Sequence, residues 1–256
     1  MAVEVKLEHR TIASLVCPGA SVLDLGCGDG TLLEILVREK GVRAQGLERD
    51  EQAIYHCVAK GLSVVHGDID TGLSEYGDRS FDYVIFDQSL QEVRQPDRAL
   101  SEALRVGRQV IVAFPNFAYW PLRLQICLRG RTPVTPSLPY AWYETPNLHF
   151  LSITDFESFC RERSVAVPRR MFLSKMHTVN ALPNLRAETG IYLLTRADTQ
   201  EERQPDKDCL QVAGNPQMSM LHRASHAIMN CITYEKSFSM STCHLSFLFD
   251  ESVYCF

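Results

Sequence analysis

A chain of 256 residues, 45% hydrophobic and 22% charged, has the balance of a water-soluble globular protein with room for one substantial α/β domain and a remainder. A formal net charge of −5 leaves no basic excess to neutralise phosphates, which argues against a nucleic-acid partner, and no run of about 18 apolar residues offers a membrane span. Residues 1–6 lack the basic-then-apolar order of a secretory signal, so a cytoplasmic protein is expected.

From residue 20 to 115, apolar strand-like runs alternate with helical patterns, which predicts βαβ units and a doubly wound, mostly parallel sheet. Strands are expected at 21–25, 43–47, 62–66, 81–86 and 108–114. Between the first two, Leu32, Leu33, Leu36 and Val37 recur at helical spacing and Gly41 supplies a stop. A second helix over about 51–60 ends at Gly61. Pro96 stands at a helix start, where its missing N–H costs nothing, and Leu100, Ala103 and Leu104 form that helix's buried stripe. A less regular stretch, rich in proline and aromatics, covers 115–150. Thr154-Asp-Phe-Glu157 has the pattern of a capping box opening a helix to about 163. Val165–Leu173 and Gly190–Thr195 close the domain as strands six and seven, the last reached by a hairpin-like return.

After Arg196 the chain changes character. Residues 197–208 are polar and linker-like, and 209–256 holds four of the nine cysteines and four of the seven methionines without a sustained strand or helix pattern. The domain is therefore expected over 1–196, followed by a poorly ordered tail over 197–256 with no assigned function. No two cysteines form a C-x-x-C pair, so neither a metal centre nor a redox motif is expected. Those before residue 200 are expected to be free thiols packed as small apolar residues.

The chemistry gathers at the ends of the predicted strands. Val22-Leu-Asp-Leu-Gly-Cys-Gly-Asp-Gly30 runs an apolar strand into three glycines and then a helix, a backbone that a nucleotide-like ligand can approach closely, with free N–H groups favouring an anionic group. The spacing G-x-G-x-G departs from the G-x-G-x-x-G of hydride-carrying dinucleotide domains, and Thr31 takes the place of the third glycine. Glu48, 22 residues beyond Gly26, ends the second strand, where its carboxylate could accept both hydroxyls of a ribose. Asp68 could accept from an exocyclic amine while Ile69 offers an apolar face to a ring. Asp24 could anchor a ligand ammonium or simply order the loop, and Cys27 sits within the loop itself.

These residues resemble the class I S-adenosylmethionine-dependent methyltransferases: Leu23-Asp-Leu-Gly-Cys-Gly-Asp-Gly, Gly46-Leu-Glu48, Gly67-Asp68-Ile and Ser80-Phe-Asp-Tyr-Val-Ile, over about residues 10–196. The resemblance implies a seven-stranded sheet with an antiparallel last strand. It implies too that Gly26, Gly28 and Gly30 lie against the cofactor's methionine portion, that Glu48 holds its ribose, that Asp68 and Ile69 border its adenine, and that Asp87 and Gln88 lie near the methyl donor. Asp87-Gln-Ser-Leu-Gln-Glu-Val-Arg-Gln-Pro-Asp, Phe114-Pro-Asn-Phe, Arg123-Leu-Gln, Leu128-Arg-Gly-Arg and Trp142-Tyr-Glu-Thr-Pro-Asn-Leu-His further resemble the MetW family of methionine biosynthesis. That resemblance implies S-adenosyl-L-methionine or S-adenosylhomocysteine as ligand and homoserine O-acyltransferase as partner, and leaves methyl transfer open.

Catalysis and partnership remain alternatives at the level of sequence. A methyltransferase needs donor and acceptor held in line, with a base only if the acceptor must lose a proton. His149, Glu144, Asp87 and Tyr143 could serve, but none lies in a sharp catalytic motif, and His149 reads more readily as structural. Over 117–131, Trp120, Leu122, Leu124, Ile126 and Leu128 stand beside Arg123, Arg129 and Arg131, which suits either a partner surface or a cover over the cofactor cleft.

Overall fold

The computed structural model describes residues 6–135, 137–175 and 177–197; apart from Ala197, the expected linker and tail lie outside the described residues. Strands β1 (Ser21–Leu25), β2 (Arg43–Glu48), β3 (Val64–His66), β4 (Phe81–Asp87), β5 (Gly107–Pro115), β6 (Val165–Ser174), β7 (His177–Thr178) and β8 (Thr189–Arg196) form one sheet in the order β3-β2-β1-β4-β5-β8-β6-β7. The first five run parallel, and β8 is antiparallel to both β5 and β6. The seven expected strands and the reversed last one are therefore present, with the two-residue β7 added at the edge.

Side-chain alternation along the strands explains the layers. Val84 and Phe86 of β4, Val110, Val112 and Phe114 of β5, and Tyr192 and Leu194 of β8 share one apolar cluster. Helices α5 (Pro96–Val106) and α7 (Ile153–Glu162) cover it with Leu100, Ala103, Ile153 and Phe156. The intervening Tyr83, Ile85, Ile111, Ala113, Ile191 and Leu193 face the opposite cluster, closed by α1 (Leu7–Leu15) and α2 (Thr31–Lys40). Each fully buried aliphatic or aromatic side chain contributes about 1.5–3 kcal/mol, so both faces hold the sheet strongly.

Several boundaries move for identifiable reasons. The α7 capping box is built from Ser152 and Asp155 rather than from Thr154 and Glu157, because Ser152 Oγ accepts from the Asp155 amide while the Asp155 carboxylate accepts from the Ser152 amide at 3.1 Å. In α2 the buried stripe is Leu32, Leu33, Ile35 and Leu36, and Val37 is 37% exposed. β3 begins at Val64, two residues late, since the Leu62 amide still donates to the Cys57 carbonyl in the turn after α3 (Glu51–Ala59). Elements α1, α4 (Ile69–Gly72), α6 (Trp120–Arg129), α8 (Pro183–Arg186) and β7 are additional to those predicted. Cys27, Cys57 and Cys160 are buried free thiols as expected, whereas Cys127 is exposed on α6.

Candidate functional site

The carboxyl ends of β1 to β4 converge around the glycine loop. Gly26 takes φ +75°, and a Cβ there would stand 2.9 Å from the Cβ of Ser89, so only glycine lets this turn pack against the end of β4. Its amide donates to the Leu47 carbonyl at 2.8 Å, tying the loop to β2. Gly28, at φ +54°, has nothing within 4 Å of a built Cβ and leaves its flank open to an approaching group. Gly30, also left-handed, precedes the first residue of α2. The Cys27 thiol is turned away, packed with Leu33 and Cys57 and close against Gly46, so a role for Cys27 toward a ligand would rest on its backbone.

Glu48 ends β2 and reaches back over the loop. Its Oε2 accepts from the Gly28 amide at 2.9 Å, and Oε1 accepts from the amides of Arg49 and Asp50 at 2.8 and 2.9 Å. A carboxylate offers about four acceptor directions, so a diol binding here would share or displace one of these backbone donors. Asp68 is exposed at the start of α4, where it accepts from the Asp70 amide at 3.0 Å. Ile69 is half-buried, and its side chain comes within 3.6 Å of a Cβ built at Gly26, which brings the β3 edge next to the loop.

Between the loop and α1 lies a buried polar cluster that the sequence does not announce. Asp24 on β1 is buried, and its carboxyl is held well above the usual carboxylate range by burial first, then by the charges of Asp87 and Glu48. Asp87 Oδ2 pairs with His9 Nε2 of α1 at 3.1 Å. The neighbouring Gln88, in a left-handed conformation at φ +58°, donates from its side chain to Glu8. Burial and then the Asp87 charge push Glu8 up to about 7, against the opposing effects of Gln88, His9 and Lys6. Among the described residues, the buried side-chain polar atoms without a hydrogen-bond partner are His9 Nδ1, Asp24 Oδ1, Asp87 Oδ1, Ser89 Oγ and Gln91 Oε1. All five belong to this edge of the sheet or to the helix over it.

Buried polar atoms are almost always paired, because each unmet one costs roughly 1–3 kcal/mol. Acceptor oxygens gathered beside an open glycine loop suit a ligand carrying a cationic donor group, and the adjacent Glu48 suits a hydroxylated one. Of the residues expected at the site, Asp24, Gly26, Gly28, Gly30, Glu48, Ile69, Asp87 and Gln88 are brought together, and Asp68 stands at the exposed rim. Glu8, His9, Ser89 and Gln91 complete the cluster. His9 and Glu8 reach it only through the packing of α1 across the sheet, a contact some 80 positions long that leaves no local signal.

The proposed bases divide. Asp87 is in the cluster. Tyr143 and Glu144 lie exposed on the segment after α6. His149 directs Nε2 to the Val93 carbonyl at 3.0 Å, and its amide and that of Leu148 donate to the Gln91 carbonyl. His149 thus fastens this segment over the turn after β4. No helix among the described residues is long and apolar enough to cross a membrane, and none of their His, Cys, Asp or Glu groupings could hold a metal.

Strand order, the reversed β8 and the glycine loop at the carboxyl edge define the class I methyltransferase fold. The same architecture occurs in an S-adenosylmethionine-dependent methyltransferase of Thermotoga maritima described as a possible histamine N-methyltransferase (TM-score 0.54, 16% identity, 74% of this chain and 88% of that one). It occurs equally in such an enzyme of Archaeoglobus fulgidus (TM-score 0.54, 16% identity, 74% and 91%). At that identity the likeness concerns fold alone. Residues 6–194 match the family described as "Methionine biosynthesis protein MetW", and the chain belongs to it. It is 33% identical over 208 residues to the bifunctional methionine biosynthesis protein MetXA/MetW of Rhodopirellula baltica, covering 76% of this chain and 33% of that one. It is also 36% identical over 118 residues to the demethylmenaquinone methyltransferase of Thermobifida fusca, covering 41% and 48%. The chain spans a third to a half of the length of these curated relatives.

Proposed function

We propose that this chain binds S-adenosyl-L-methionine, or its demethylated product S-adenosylhomocysteine, at the carboxyl edge of β1 to β4, and acts with homoserine O-acyltransferase in cytoplasmic methionine synthesis. The observation that carries the ligand reading is the set of five unpartnered buried polar atoms beside the glycine loop. Asp24 and Asp87 would take the ligand's ammonium, Glu48 its ribose hydroxyls, Ile69 and Asp68 its adenine, and the backbone at Gly26, Cys27, Gly28 and Gly30 the methionine portion, with Gln88 beside it. When bound, this cofactor supplies an already activated methyl group. Membership of the MetW family and the relative that joins MetXA and MetW in one chain support the partnership.

The test is acyltransferase turnover with the purified chain present or absent, each with and without S-adenosylmethionine. The chain is expected to change the rate at least several-fold, and the cofactor to shift that effect. A rate indifferent to the chain would contradict the partnership.

One observation favours a second reading, an active methyltransferase on a small acceptor. Asp87 holds His9 through Nε2, and when that nitrogen carries the proton, the buried Nδ1 keeps a lone pair with no partner, an arrangement able to take a proton from an acceptor. Release of S-adenosylhomocysteine that depends on an added acceptor and falls with His9→Ala would establish that reading.

A further inference from the structure

Helix α6 buries little of its apolar surface, in contrast to α2 and α5, which bury four and five residues. Of its ten residues only Leu122 is fully buried; Trp120 is 50% exposed, Leu128 73%, and Leu124 and Ile126 are exposed as well. Trp120, Leu124 and Leu128, spaced four apart, form an apolar stripe on the side away from Leu122. A ten-residue helix is marginal in water on propensity alone and ordinarily draws its stability from a packed face. Here the body supplies little of that packing. The Gly130 cap at φ +58° and the Arg123 guanidinium, which donates to the Ala118 carbonyl, hold its ends instead.

The apolar ground extends beyond the helix. Phe117, just before α6, packs its ring against the exposed Phe150 at 4.8 Å between centroids. Trp142 on the same long connection is 73% exposed. Large apolar side chains exposed together along one helix face, with an aromatic pair at its start, are what interaction sites present. The segment from Asn116 to Tyr143 carries three arginines and not one acidic residue, in a chain whose net charge is −5. Aromatic and arginine side chains together are the usual anchors of protein interfaces.

We propose that the exposed face of α6, with Phe150 beside its N-terminus, is the surface that docks homoserine O-acyltransferase, through a complementary apolar face rimmed with acidic residues on that partner. This rests on the partnership proposed above. The relative in which MetXA and MetW form one chain points to the same occupant, since fusion holds two such surfaces permanently at high effective concentration. The basic rim predicts an association that weakens with salt.

The experiment is a titration of the full chain with purified acyltransferase at low and high ionic strength, for the wild type, Leu124→Asp/Leu128→Asp, Arg129→Glu/Arg131→Glu and, as a reference, Tyr55→Asp on the exposed side of α3. The double aspartate variant is expected to weaken binding at least 100-fold and the charge reversal at least 10-fold. Tyr55→Asp should bind as the wild type does, and all four should bind S-adenosylmethionine equally. If the aspartate variant fails to fold, the charge reversal at two exposed residues decides alone. Wild-type-like binding by both double variants would overturn the docking surface while leaving the partnership standing. Failure of the wild type to bind would overturn both. A dimer of this chain dispersed by Leu124→Asp/Leu128→Asp, with acyltransferase binding intact, would show a second copy to be the occupant and overturn the proposal.

Discussion

Asp87 stands between two carboxyl groups, Glu8 of α1 and Asp24 of β1, and its charge raises both, while His9 pairs with Asp87 at 3.1 Å. Glu8 titrates near 7 in the folded protein against 4.5 for an ordinary glutamate, so the folded chain holds an extra proton between those values. Stability therefore falls as pH rises through that window and stays lowered above it. Glu8→Gln keeps an acceptor for Gln88 and removes the charge. It is expected to stabilise the chain at pH 8 by about 1–2 kcal/mol, after allowance for residual solvent, and to change little at pH 4.5. Thermal melts at the two pH values check this; an equal shift at both would contradict it. Glu48 and the glycines are legible in sequence because a strand, a turn and a helix start are local. His9 and Glu8 are not, because a side chain that meets its partner across the sheet leaves no periodic trace.

Asn116 shows how an element-scale constraint can pass for a functional motif. It is buried at the end of β5, and its amide nitrogen donates to the carbonyls of Ala187 at 2.8 Å and Asn184 at 3.1 Å. Its oxygen accepts from the amides of Ala118 at 3.1 Å and Ile153 at 3.4 Å. One side chain thus joins β5, the start of α7 and the segment around α8. Asn116→Leu strands several buried backbone groups and is expected to cost about 2–4 kcal/mol in denaturant unfolding, with affinity for S-adenosylmethionine retained in the folded fraction. The Phe114-Pro-Asn-Phe signature is visible in sequence, but its purpose as a staple needs the structure. The displaced capping box has a similar cause: both Ser152 and Thr154 are plausible caps, and only the Ser152–Asp155 pair closes reciprocally. Helix α6 escapes periodicity reading because its apolar residues point both inward and outward, so no single stripe stands out.

At the scale of the whole molecule, the alternation over residues 20–115 fixes the parallel half of the sheet, since each βαβ unit closes locally and right-handed crossovers leave few ways to order it. The position of β8 between β5 and β6 does not follow from alternation. The resemblance implies only that the last strand runs antiparallel, which β8 does against both β5 and β6; its insertion between them is a finding of the structure. What the assembled molecule adds is an arrangement: a polar cluster at one edge of the sheet, and an arginine-flanked apolar helix on the connection that His149 ties to that edge through Val93. Calorimetric titration of S-adenosylmethionine into the full chain and into Glu48→Ala tests the ligand site most directly. The wild type is expected to bind in the micromolar range and Glu48→Ala about 10- to 100-fold more weakly, the loss of charge-assisted hydrogen bonds worth about 1.5–3 kcal/mol. No heat of binding at millimolar ligand, or equal affinity in the two proteins, would contradict the account.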